Sequence, residues 1–149
     1  MNGIVLDFYK TVIYDDRYMM ILAGLKNTIL IDLGSIVSGM LLGLLIAIVR
    51  DMYEKNGKGL ILNKICKIYV DVIRGTPALL QLMIIYYVIF KSVSIDLVLV
   101  GILAFGLNSS AYVSEIIRAG INSIDLGQME AAKSLGFKYF QSMRYIILP

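Results

Sequence analysis

Apolar residues along this chain fall into three long runs separated by short polar stretches, a pattern that predicts membrane-crossing helices and not the alternation of half-buried strands. Ile29 to Val49 contains Asp32 as its only charge. At about 1.5 Å per residue it is about 31 Å long, enough to cross the hydrocarbon core. Leu60 to Phe90 is longer and less regular, because Lys64, Lys67, Asp71 and Arg74 crowd its first half and Pro77 interrupts it before the apolar run Ala78 to Phe90. That run alone is shorter than the roughly 20 residues a span needs. The crossing therefore begins near Ile65 or is broken between Gly75 and Pro77, where irregular backbone must be covered by protein or line a cavity. The third run, Leu97 to Ile117, starts fully apolar and ends among Asn108, Ser109, Ser110, Tyr112 and Glu115. The expected spans are thus 29–49, 65–90 and 97–117, in one transmembrane domain covering 1–149.

Spacing within the runs predicts which faces do what. Asn108, Tyr112, Glu115 and Ala119 share one helical face, expected to point into a bundle and not at lipid. Ser35, Gly39, Gly43 and Ala47 repeat every fourth residue, a small-residue stripe that admits a close neighbour. It reads as helix packing, within the chain or in a dimer, ahead of any contact with a substrate. Arg74 stands beside a Gly-Thr-Pro break and Thr76 within it, which makes them candidates for lining a polar pathway. Alternatively, Arg74 pairs with Asp71 or Glu115 or reaches the interface, while Pro77 sets a kink. Glu115 and Arg118 are spaced for an ion pair on one helix face. Beyond the third run, Asp125 with Gln128 resembles a capping box, Leu126 to Leu135 suits a short helix, and Gly136 suits its C-terminal cap. Ala131 and Ala132 are small enough for a partner surface to come close.

Composition agrees with the pattern. With 58% hydrophobic and 17% charged residues and a mean hydropathy of +0.78, the chain lies well beyond a soluble domain, and the fold class is an all-α membrane helix bundle. The N-terminus carries Asp7, Asp15 and Asp16 among aromatic residues and lacks the pattern of a signal peptide. Cys66 is the only cysteine and there is no histidine, so an intrachain disulfide is excluded and the usual zinc ligand and general base are lacking; neither metal nor catalytic residues are expected. Gly57-Lys58-Gly59 lacks the spacing of a phosphate loop. Lysine and arginine cluster between the first two runs (Arg50, Lys55, Lys58, Lys64, Lys67) and after the third (Arg118, Lys133, Lys138, Arg144), which puts those segments in the cytoplasm and the N-terminus outside. The net charge of +3 is therefore a matter of topology, with no nucleic acid implied.

Three stretches together resemble a known family. Gly127-Gln128-Met129-Glu130-Ala131-Ala132, then Leu135-Gly136, then Ile146-Ile147-Leu148-Pro149, is similar to the EAA loop of permease subunits in binding-protein-dependent ABC importers. Tyr69 to Gln81 resembles the Arg-Gly-Thr-Pro segment of the polar-amino-acid branch, and Ala111 to Ile121 resembles its Ala-Tyr-x-x-Glu-x-x-Arg-x-Gly-Ile stretch. Gly24-Leu25-Lys26-Asn27-Thr28 is similar to that branch's start of span one. The resemblance implies a permease of five spans, of which the C-terminal ones are missing here, so that the chain is expected to be a fragment or a truncated product.

It further implies partners: a second permease subunit (itself or a paralogue), two cytoplasmic ATPase subunits that bind the ATP, and an extracytoplasmic amino-acid-binding protein, all at a bacterial inner membrane. By the same analogy the segment about 123–145 holds the coupling helix, with Gly127, Gln128, Glu130, Ala131, Ala132, Leu135 and Gly136 meeting the ATPase. Arg74, Thr76, Asn108, Tyr112 and Glu115 are then candidates for pathway or gate. The expected function is an amino-acid import permease with no cofactor and no enzymatic activity of its own. A secondary carrier or channel using Arg74 and Glu115, or a non-transporting scaffold, are the rival readings.

Overall fold

The structure, a computed structural model, describes residues 3–57 and 59–147. Lys58 of the Gly-Lys-Gly stretch and Leu148 and Pro149 of the family resemblance lie outside the described residues, as do Met1 and Asn2. Every described element is a helix: α1 (Gly3–Phe8), α2 (Arg17–Asn56), α3 (Leu60–Gly75), α4 (Ala78–Ile84, prolonged by a wider turn Ile85–Ile89), α5 (Leu97–Asn122), α6 (Leu126–Ser134) and α7 (Tyr139–Ser142). Among the described residues, two helices are long and apolar enough to cross a membrane, and three if the bent pair α3–α4 counts as one span.

The helices begin and end where local chemistry dictates. Gly57, at φ 64°, takes the left-handed conformation that closes α2, and its N–H donates to the Tyr53 carbonyl. Asp96 opens α5, its carboxylate accepting from the backbone N–H groups of Val98 and Leu99. The first apolar run lies inside a longer helix than its hydropathy predicted. At 40 residues α2 is about 60 Å long, because nothing between Arg17 and Gly57 breaks it and the flanking polar residues continue the helix past both interfaces. The second run is not one straight span. α3 and α4 meet at Thr76 and Pro77 with a bend of 111°, the broken alternative of the two that the sequence left open.

The core is the seam between α2 and α5, the most extensive contact of the fold. Its basis is the small-residue stripe. A side chain at Gly39 would meet Ser109 at 2.9 Å, and one at Gly43 would meet Val113 at 2.8 Å and the Ser110 carbonyl at 2.9 Å. Ser35 donates to the Ile102 carbonyl at 3.4 Å, and Ala47 is fully buried. The buried positions of α5 are mostly small as well: Gly101, Ala104, Gly106, Ser110, Ala111 and Ser114, with Val100 and Ile121 as the larger ones. A bilayer offers little hydrophobic drive for helix pairing, so close approach of backbones supplies the van der Waals contact instead. In this chain the stripe lies against α5.

The seam uses one side of α5 and leaves another free of α2. Asn108, Tyr112, Glu115 and Ala119 do not form the packed face of α5: Tyr112 and Ala119 are exposed and the other two only half-buried. The side chains of Asn108, Tyr112 and Glu115 are too large for a seam built on glycine and lie on the flank beside α3 and α4.

Gly43→Leu should lower the thermal midpoint of the detergent-solubilised protein by about 1–3 kcal/mol equivalent, the usual cost of overpacking. Gly24→Leu, where nothing lies within 4 Å of the new Cβ, should leave it unchanged in the same melting experiment.

Candidate functional site

The break between α3 and α4 creates a polar problem and the sequence answers it locally. Pro77 has no N–H to give the carbonyl of Ile73, four residues earlier, so that acceptor is orphaned. Gln81 supplies the missing donor: its side-chain amide lies 2.8 Å from the Ile73 carbonyl, 3.1 Å from the Thr76 carbonyl and 2.7 Å from the Thr76 hydroxyl. The Thr76 hydroxyl in turn donates to the Val72 carbonyl at 2.8 Å. The Gln81 carbonyl oxygen accepts from the Asn108 amide at 2.9 Å, which ties the break to the flank of α5. Nearby the Tyr69 hydroxyl donates to the Leu107 carbonyl at 2.8 Å and lies 2.7 Å from the Ser110 hydroxyl.

One to two turns further along α5 is a cluster of charges. Glu115 sits among three guanidinium groups: it accepts from Arg50 of α2, from Arg118 at 3.2 Å, and has Arg74 of α3 at 3.8 Å. Arg118 also donates to Glu54. The two inner arginines are nearly enclosed, with side chains 10% and 12% exposed, whereas Arg74 is 44% exposed. Arg74 lies over the Tyr112 ring at 5.6 Å from its centroid, a cation–π contact. The buried Nε groups of Arg50 and Arg118 have no acceptor among the described residues. Three cations against two carboxylates leave the cluster with spare donors and one net positive charge.

Of the residues expected to form a pathway, the fold brings together Arg74, Tyr112 and Glu115 in the charge cluster, and Thr76 and Asn108 through Gln81. Asp71, the other proposed partner of Arg74, is exposed. Arg50, Glu54 and Gln81 escaped the sequence reading. Arg50 was counted only as a positive charge between the first two runs. Gln81 carried a usable signal, since it lies four residues beyond a proline that orphans a carbonyl.

The segment after α5 has its own small core. Met129 of α6 packs with Ile121, Met143 and Ile147, and Ala132 is 1% exposed. Ala132, three residues on from Met129 and so on the same side of α6, is enclosed by its own chain. Gly127, Gln128, Glu130, Ala131, Leu135 and Gly136 remain exposed. Gly136, at φ 82°, turns the chain into α7. Asp125 caps α6 by accepting from the Gly127 N–H at 2.7 Å, whereas the reciprocal carboxamide cap lies one helix later, where Gln141 accepts from the Lys138 N–H at 2.9 Å. Tyr139 of α7 reaches back to α2 and donates its hydroxyl to Asp51. Asp51 is 1% exposed and has Lys55 at 2.9 Å on its other oxygen. Burial, then the bond to Asp51 and its negative charge, push the Tyr139 phenol up from its ordinary value.

A profile of the family described as binding-protein-dependent transport system inner membrane component matches residues 39–149. Over 147 residues the chain is 38% identical to a putative glutamine transport system permease protein of Rickettsia typhi, covering 97% of this chain and 62% of that protein. Over 146 residues it is 40% identical to an arginine transport system permease protein of Bacillus subtilis, covering 97% and 63%. A crystal structure of an amino acid ABC transporter with histidines matches at a TM-score of 0.65 and 37% identity, over 86% of this chain and 63% of that one. The chain thus spans less than two thirds of the length of these relatives.

Two outcomes follow for the purified protein. Gln81→Leu strands the Ile73 carbonyl and the Asn108 amide and should cost about 1–3 kcal/mol in a melting experiment, whereas Arg74→Lys, at an exposed ion pair, should cost about 1 kcal/mol or less. Because the native state holds the Tyr139 proton longer than the unfolded chain does, the stability it contributes is full below the unfolded tyrosine value of about 10 and falls as pH rises above it. Tyr139→Phe should remove one late phenolate absorbance step and flatten the loss of melting temperature in that range.

Proposed function

The chain belongs to the family of binding-protein-dependent transport system inner membrane components, and from that premise we propose that it is a membrane-spanning permease subunit of an ATP-driven amino-acid importer. It forms part of the translocation wall and takes its energy from cytoplasmic ATPase subunits, with a second permease subunit and an extracytoplasmic amino-acid-binding protein as further partners. The observation that carries the reading is α6: a short helix anchored to its own chain by Met129 and Ala132, which presents Gln128, Glu130, Ala131 and Leu135 to solvent. A soluble surface has no use for a leucine that is 77% exposed at the end of such a helix, and a docking groove on the ATPase does.

The substrate class follows from the relatives, named for glutamine and arginine transport, and from the polar flank of α5. Thr76, Asn108, Tyr112, Arg74 and Glu115 line that flank, and Arg74, exposed and backed by a net positive cluster, suits the carboxylate common to all amino acids. A secondary carrier would need a carboxylate free to load and release its ion. Glu115 is held by Arg50 and Arg118, which favours a fixed structural charge. The lysine and arginine distribution supports a cytoplasmic α6 and an external N-terminus at the bacterial inner membrane.

Alternating access is the mechanism proposed: closure of the ATPase pair displaces the two α6 helices of a permease pair, and the spans tilt so that the cavity beside α5 opens outward. The test is affinity purification from native membranes in mild detergent with an ATPase assay of what co-purifies. A co-purifying ATPase is expected, retained by the native sequence and lost with Leu135→Glu. That substitution lies on the surface, so the melting temperature should stay within about 0.5 kcal/mol equivalent. Undiminished ATPase recovery with Leu135→Glu would overturn the docking role of α6.

A further inference from the structure

Two adjacent residues of α2 reach in opposite directions. Arg50 donates to Glu115, at the head of the charge cluster with Arg74 and Tyr112. Asp51, the next residue, accepts from Tyr139 of α7. Its carboxylate is among the most enclosed side chains of the chain, at 1% exposure, with Lys55 as its other partner. A buried carboxylate is retained only when its lone pairs are satisfied, so the Tyr139 hydroxyl cannot leave without a penalty. Between Tyr139 and α6 lie only the Gly136 turn and two further residues, and α6 and the segment after α7 share the Met129–Met143–Ile147 core. The two short helices therefore share one core, and among the described residues their polar attachment to a membrane-spanning helix is this buried contact.

We propose that Asp51 and Tyr139 are positioning residues: they form the joint through which displacement of α6 and α7 is transmitted, by way of the Arg50–Glu115 contact, to the charge cluster beside α5. The proposal rests on the importer reading for its use in transport, but the physical link itself does not. The hydrophobic contacts of the cytoplasmic core hold α6 in position and tolerate sliding; a hydrogen bond to an enclosed carboxylate is directional and does not. Displacing α7 must therefore drag Asp51 or break the bond, and Arg50 is the neighbouring residue on the same rigid helix. An element with two discrete arrangements, bonded or broken, is what coupling between separated sites requires.

Tyr139→Phe removes the hydroxyl and keeps the ring that packs on the cytoplasmic core. In amide hydrogen exchange on the assembled, membrane-embedded protein, it should speed exchange across 126–147 and also in α5 around Glu115, whereas Phe140→Ala, at an exposed ring, should change neither. Faster exchange confined to 126–147, with α5 unaltered, would overturn the link. In reconstituted vesicles Tyr139→Phe should lower the amino acid imported per ATP hydrolysed by at least about fivefold, the lower end of an ordinary coupling energy. Asp51→Asn, whose carboxamide oxygen still accepts from the phenol, should retain most of that ratio. A double-mutant cycle with Glu115→Gln separates transmission from mere folding: non-additive effects on the ratio are expected, and additive ones would sink the proposal. If the native complex neither hydrolyses ATP nor imports, the importer reading fails, while the exchange experiment still decides the link.

Discussion

Everything in this fold depends on how closely α2 and α5 approach. In water two apolar helices are driven together by the surface they hide; in lipid that drive is nearly absent, and only tight van der Waals contact remains. Gly39 and Gly43 meeting Ser109, Ser110 and Val113 supply that contact, and a methyl group at either glycine already collides. The constraint works in both directions. Because the backbones approach so closely at these glycines, the seam there has no room for a large polar side chain, and Asn108, Tyr112 and Glu115 collect on the flank of α5. The polar site is in this sense a by-product of the packing, and its position along the helix is set by the same register.

The second constraint is that backbone polar groups at membrane depth must be satisfied by protein or by a water-filled cavity. Pro77 violates the helix and Gln81 repairs it, with Thr76 closing the Val72 carbonyl. The repair is also a connection, since the same glutamine holds Asn108 of α5. A bend of 111° that would otherwise be a defect thereby becomes one wall of the polar flank. At the C-terminal end of α2 and α5 the same logic governs charge: Arg50, Glu115, Arg118, Glu54, Asp51 and Lys55 each sit against an opposite charge, because none of the enclosed ones is tolerable alone.

The helical class, the apolar runs, the start of α5 and the ends of α6 were legible from local signals, since hydropathy, an aspartate before a helix and a glycine after one act over a few residues; α5 runs five residues beyond the Ile117 end that its hydropathy suggested. The stripe from Ser35 to Ala47 was legible as a packing surface but not as to its partner, which depends on what lies opposite. Thr76, Asn108, Arg74, Tyr112 and Glu115 were found because polar residues in apolar runs are conspicuous. Gln81, Arg50 and Asp51 were not: a glutamine after a proline and a charged pair at a span end look ordinary until the third dimension gives them partners. The orientation of Ala132 was equally hidden, because a nine-residue helix of low amphipathic contrast carries little information about which side faces its own chain.

What the sequence determined by itself is the medium, the helices and the inventory of polar groups, all consequences of composition and of interactions between residues close in the chain. Tertiary structure decided the pairings: Arg50 with Glu115, Asp51 with Tyr139, Gln81 with Asn108. Each joins residues separated by 27 to 88 positions, and such a contact has no local energy. It exists only after glycine has brought α2 and α5 together and the proline break has turned α3 and α4 against them, because a hydrogen bond or ion pair acts over a few ångströms and the sequence alone does not say which groups come within that reach.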